Sequence, residues 1–133
     1  MARVLVVDDS GDIARLMCEA VDLQPDLECV ATLSSADDLE GAVRQHKPDV
    51  VLLDLCMPGR DPLDAVRAVA ACASSCRVLL FTGYLDAEAA KAVLDAGAWG
   101  LVSKLAPREE VLEALRRVAS GEMVFDGEVL DQL

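Results

Sequence analysis

Aromatic residues are scarce in this chain: one Trp, one Tyr and two Phe in 133 residues, or 3%. Hydrophobic residues still make up 53%, so the core has to be built from Val, Leu and Ala packed between regular elements. Histidine is nearly absent. His46 stands alone, which excludes a cluster of metal-binding imidazoles. Basic residues are few as well: 12 Lys plus Arg face 24 Asp plus Glu, a net charge of -12. That balance excludes a chain that by itself grips a nucleic-acid backbone or an anionic membrane. No stretch reaches the roughly eighteen consecutive apolar residues of a membrane span, and Met1 leads through Arg3 into a strand-like run rather than a signal peptide. A cytoplasmic protein is predicted. The five cysteines (Cys18, Cys29, Cys56, Cys72, Cys76) are odd in number and lack paired CxxC spacing, which argues against a zinc site and for small apolar residues in a reducing compartment.

What is present is an alternation. Continuous Val/Leu runs at 4–7, 50–53 and 78–81 read as strands buried on both faces, with weaker candidates at 28–32 and 99–103. Helical spacing fills the intervals, as in Ile13, Leu16, Met17, Ala20 and in Val111, Leu112, Leu115, Val118. Ser35 and Asp86 stand where helix N-caps belong, Pro107 in a first helical turn, and Gly97 after the fourth helix. The stretch 45–49 reads as a turn. Five β-α units of this length, with right-handed crossovers, predict one α/β domain: a doubly wound parallel sheet in the flavodoxin-like order 2-1-3-4-5. The domain is expected over 1–120, with 121–133 as a tail or the start of a linker, carrying a short helix near its end.

Ligands of open parallel sheets bind at the carboxyl ends of the strands. The first run ends in Asp8-Asp9, the third in Asp54, the fourth in Thr82-Gly83 and the fifth in Ser103-Lys104. Singly, each is ordinary: an Asp pair after a strand is commonly a turn or a cap, and a lysine commonly a solvated charge. Their arrival together at one rim is the signal. Three carboxylates in one place cost several kcal/mol of repulsion and desolvation unless a cation offsets them. That predicts a hard, oxygen-seeking ion, and Mg²⁺ is the natural candidate. Such a set stabilises a phosphoryl group in flight, with Asp54, the lone central carboxylate, as nucleophile, Lys104 and Thr82 on the phosphoryl oxygens, and Gly83 leaving room for the donor.

With that set assembled, the chain resembles the receiver domain of bacterial two-component response regulators, the CheY-like family, over about residues 1–120. The residues that carry the likeness are Val4-Leu-Val-Val-Asp-Asp-Ser10, Pro48-Asp-Val-Val-Leu-Leu-Asp54 with Met57-Pro58, Phe81-Thr-Gly83, and Ala96-Gly-Ala98 leading to Lys104. The resemblance implies phosphotransfer from a partner histidine kinase to Asp54. It also implies Mg²⁺ held by Asp9, Asp54 and the main-chain carbonyl of Cys56, and by Asp8 through water. The stretch 111–121 looks most like receivers of the NarL/FixJ type, which usually precede a LuxR-type helix-turn-helix DNA-binding domain. Thirteen residues follow Ser120, too few for such a module, so the chain is expected to be either a fragment of a longer regulator or a stand-alone receiver.

Some positions depart from the family pattern. Leu101 stands three residues before Lys104, where many receivers carry the Tyr or Phe whose rotamer reports phosphorylation. Pro62 replaces a usual Gly, and Leu105 the common Pro after Lys104, where the family often has a cis peptide. Cys56 and Tyr84 occupy variable positions flanking the site. Phosphorylation is expected to repack the fourth helix and fifth strand and so change the surface shown to a partner. A homodimer face is expected on helices four and five or one and five, with Trp99, Met123 and Phe125 as candidate contributors. Two rivals stand beside this reading. A haloacid-dehalogenase-like aspartyl-phosphate phosphatase needs a second Asp two residues after its nucleophile, where Cys56 stands. A pseudo-receiver keeps the fold as an interaction module without phosphorylation.

Overall fold

A computed structural model of the chain describes residues 1–73, 75–83 and 86–125. In chain order the elements are β1 (Ala2–Val7), α1 (Gly11–Asp22), β2 (Leu27–Leu33), α2 (Leu39–His46), β3 (Val50–Asp54), α3 (Pro62–Cys72), β4 (Arg77–Thr82), α4 (Ala87–Ala96), β5 (Gly100–Ser103) and α5 (Arg108–Ala119). The strands form a single parallel sheet in the order β2-β1-β3-β4-β5, the predicted doubly wound α/β fold. Alternation along each strand divides the apolar residues between two layers. Leu5, Val7, Val51, Leu53, Val78, Leu80 and Leu101 face the layer of α2, α3 and α4. Val4, Val6, Val50, Leu52, Leu79, Phe81 and Val102 face α1 and α5. Central β3 is buried at every position, as its unbroken apolar run demands.

Caps fix where the chain leaves each strand. Ser10 begins α1, its hydroxyl accepting the Ile13 N–H at 3.3 Å, and Asp86 begins α4, accepting from Ala89 at 2.6 Å. Gly97 ends α4 at a φ of 103°, a left-handed turn that favours glycine. Ser35 is not the cap of α2. The helix starts later, and Asp38 accepts the Gly41 N–H at 3.3 Å, while the Ser35 hydroxyl takes the Asp37 N–H at 3.3 Å in a local turn. The run Ser34-Ser35-Ala36-Asp37-Asp38 offers several short polar side chains that compete for the same role, and burial of Ala36 against the core selects the later one. Pro107 precedes α5 rather than lying inside its first turn. The 45–49 stretch divides: α2 runs on to His46, and the turn itself is made at Lys47, with φ of 50°.

The first residues of the expected tail are part of the sheet edge. Val124 forms a parallel bridge with Gly100, accepting the Leu101 N–H and donating to Trp99 O, both at 2.9 Å. The possible short helix near the end falls at 126–133, outside the described residues, as do Tyr84 and Leu85. There is no cis peptide bond among the described residues, so the Lys104–Leu105 bond is trans. The five cysteines are free thiols, and burial pushes Cys76 up to about 12.

Candidate functional site

Because all the strands are parallel, their carboxyl ends share one rim, and the register brings specific residues side by side. Asp54 is paired with Phe81, and Thr82 with Ser103. The Lys104 N–H then donates to Thr82 O at 2.7 Å, closing the end of β5 onto β4. Asp8 follows β1 directly, its own N–H bonded to Leu33 O at 3.0 Å. The buried polar or charged residues of the described chain are Asp8, Asp54 and Thr82, at 2%, 1% and 1% exposure, and all three lie at this rim. A fold that places its buried polar side chains at one point has built a site there, since burying such groups is costly elsewhere.

Each buried aspartate has one oxygen tied down and one left facing the site. Asp8 Oδ1 accepts the Ser10 N–H at 2.9 Å, and Asp54 Oδ1 accepts the Cys56 N–H at 3.0 Å. Both Oδ2 atoms are buried without a well-directed hydrogen bond. Lys104 Nζ stands between them, 2.9 Å from Asp54 Oδ2 and 3.4 Å from Asp8 Oδ2, contacts of charge rather than of aligned donors. The same ammonium lies 5.4 Å from the centroid of the Phe81 ring. Burial pushes the Asp8 carboxyl above its usual range, and the Asp54 charge adds to this against the Ser10 hydrogen bond and Lys104. For Lys104 burial acts downward, but contact with Asp54 and the charges of both aspartates outweigh it and hold the ammonium above its ordinary value.

Exposed Asp9 completes the cluster. Asp8, Asp9 and Asp54 each offer an oxygen within 4.8 Å of the others. Three carboxylates against one ammonium leave a formal charge of −2, and two buried carboxylate oxygens share that one ammonium, so the residues present fit a divalent, oxygen-seeking cation. Gly83 is exposed, and a β-carbon there would meet nothing within 4 Å, so the approach beside Thr82 is open.

The structure thus brings Asp8, Asp9, Asp54, Thr82 and Lys104 together and puts the Cys56 backbone beside Asp54. Trp99 lies apart, under the Arg77 guanidinium at 4.8 Å; Phe125 packs on the core, and Met123 is exposed. Leu101 is buried at 2% exposure in the layer facing α4, where it serves as a core residue. Sequence reasoning passed over Arg60, which ties the loop after β3 to α2 through Glu40.

The family model for the response regulator receiver domain matches residues 4–116. The chain belongs to the response regulator receiver domain family. Among curated relatives, this receiver is 34% identical over 125 residues to the oxygen regulatory protein NreC of Staphylococcus haemolyticus, covering 93% of this chain and 58% of that protein. It is 27% identical over 129 residues to the transcriptional regulatory protein LiaR of Bacillus subtilis, covering 97% and 61%. The receiver therefore spans about 60% of the length of these relatives. Among solved structures, a LuxR-family two-component response regulator from Aurantimonas sp. superposes with a TM-score of 0.90 at 25% identity, covering 98% of this chain and 94% of that one. The signal receiver domain of the putative response regulator NarL from Mycobacterium tuberculosis gives 0.86 at 29%, covering 91% and 98%. The receiver is of the NarL/LuxR type.

Proposed function

We propose that this receiver accepts a phosphoryl group on Asp54 from a phosphohistidine of a sensor histidine kinase and thereby switches a protein surface. The observation that carries the proposal is the convergence of the domain's buried polar side chains with Lys104 at one rim of net negative charge. In the transfer, Asp54 Oδ2 forms a bond to phosphorus as the donor's P–N bond breaks and the imidazole leaves. Lys104, released from pairing with that oxygen, follows the new charge onto a phosphoryl oxygen, and Thr82 supplies a hydroxyl to another. Asp9, Asp54 and the Cys56 carbonyl, with Asp8 through water, would hold Mg²⁺, which when bound neutralises the phosphoryl oxygens. Because Lys104 N–H is bonded to Thr82 O, movement of either end repositions β5 and the start of α5.

On this reading the chain promotes only its own phosphorylation and dephosphorylation and acts on no other molecule as an enzyme. Residues 1–120 are the switching unit, and 121–133 lead towards an output that we take to be a helix-turn-helix DNA-binding domain, so that DNA is reached only through that further domain. The protein works in the cytoplasm, and phosphorylation favours a homodimer. A phosphatase of the haloacid-dehalogenase kind lacks support, because Cys56 stands where its second aspartate belongs. The pseudo-receiver is the reading to beat, and beryllofluoride, which mimics an acyl phosphate, separates the two. With Mg²⁺ present, a bound ¹⁹F resonance is expected for the wild-type chain and its loss in Asp54→Ala; no bound signal from the wild type, or one that survives the substitution, contradicts the assignment.

A further inference from the structure

The stretch between Asp54 and α3 carries the Cys56 carbonyl, and it is pinned at two places. At its start, Leu55 N–H donates to Phe81 O at 3.0 Å and Cys56 N–H to Asp54 Oδ1 at 3.0 Å. At its far end Asp61 caps α3, accepting the Leu63 N–H at 2.9 Å, and Arg60 makes the hydrogen bonds that cross to α2 and the residues before it. Its N–H donates to Asp37 Oδ1 at 3.2 Å, and its guanidinium to Ala36 O at 3.3 Å and Glu40 Oε2 at 3.1 Å, with a second, closer contact to Glu40 Oε1. The pair is bidentate and three-quarters covered, with side-chain exposures of 24% and 27%. The Arg60 hydrogen bond holds the Glu40 carboxyl below its usual range. Gly59 makes the approach possible. Its φ is 92°, and a β-carbon there would sit 3.1 Å from Asp37 Oδ1.

We infer that Arg60 is a positioning residue for the cation site: by clamping the loop to Ala36, Asp37 and Glu40 it holds the Cys56 carbonyl at the acidic rim. The inference rests on the Mg²⁺ reading above. Sequence position alone does not suggest it, because the partners lie 20 to 24 residues away on the other side of β3. A forked guanidinium that meets one carboxylate with two nitrogens and a backbone carbonyl besides fixes a loop more tightly than an exposed ion pair does. Outer contacts of this kind commonly change metal affinity by about ten- to a hundredfold when removed.

Charge and positioning predict opposite signs, which makes the test decisive. Arg60→Ala removes one positive charge from a domain of net charge -12, so electrostatics alone would tighten a cation; loss of the guanidinium contacts to Ala36 and Glu40 would weaken it. The measurement is a MgCl₂ titration of the ¹⁵N-labelled chain, following the Cys56 amide, with the spread of the same spectra reporting folding. The expected result is a Mg²⁺ Kd raised about tenfold in Arg60→Ala. Arg60→Lys, which keeps the charge and loses the fork, is expected to recover part of that affinity, and it carries the test if the alanine variant fails to fold. Affinity equal to or tighter than wild type in both variants overturns the role of Arg60. A wild-type chain whose amides ignore MgCl₂ overturns the cation reading itself, and the inference with it.

Discussion

Asp8 is the clearest case of a single residue set against the stability of the fold. Its carboxylate is buried beside that of Asp54, and the Ser10 N–H and a tilted contact with Lys104 offset part of that cost. Its folded pKa is raised, so the protonated form is favoured in the fold, and a penalty grows as pH rises from the unfolded value near 3.8 through the folded one. In Mg²⁺-free buffer at pH 7, Asp8→Asn is therefore expected to stabilise the chain by about 1–2 kcal/mol, with the advantage shrinking as the pH is lowered towards 4. Urea unfolding at both pH values checks this, and an unchanged or lowered midpoint at pH 7 would contradict it. The five rim residues were legible because each follows an apolar run, and the sheet brings strand ends together whatever the loops do. Arg60 was not, since its meaning lies in Asp37 and Glu40, which the chain reaches only by way of β3. The cap of α2 was misplaced for a local reason: Ser35 and Asp38 are both competent, and only packing of Ala36 and Leu39 chooses between them.

At the scale of elements, the edges of the sheet were harder to read than its centre. β3 announces itself by five buried residues in a row, whereas β2 is an edge strand with only Leu27 fully buried, and its mixed sequence follows from that exposure. β5, with four residues, borders an extension no local pattern reveals, because Val124 finds its partner in Gly100 after the whole of α5 has intervened. Gly100 is the residue this contact requires: a β-carbon there would lie 2.5 Å from Val124 O and 2.7 Å from Leu79 Cδ1. Gly100→Ala is accordingly expected to destabilise the domain by about 1–3 kcal/mol through overpacking. It should also release residues 121–125 from β5, seen as faster hydrogen exchange at the Leu101 and Val124 amides. Wild-type exchange at both amides would show that the edge contact is not held by this glycine. The Arg77 guanidinium over Trp99, with its hydrogen bond to Ala119 O at 3.4 Å, braces the same corner.

Taken whole, the molecule is an acidic parallel-sheet domain that, among the described residues, gathers its buried polar side chains at one rim between two apolar layers. The net charge is -12, and no described helix is long and apolar enough to cross a membrane. That the fold was legible follows from the distribution of apolar residues: continuous in the central strands, 3.6-periodic in the helices, and interrupted by polar residues at each strand end. The charge balance at the rim was legible only as a list of side chains, and the geometry turns it into two buried carboxylate oxygens sharing one ammonium. The central claim, that Asp54 is the phosphoryl acceptor, is tested most directly by intact mass after incubation with Mg²⁺ and acetyl phosphate. A single gain of about 80 Da, lost on mild base treatment and absent in Asp54→Ala, is the predicted result. Wild-type chain that gains no mass with this donor or with a phosphorylated histidine kinase, or a gain that persists in Asp54→Ala, would contradict it.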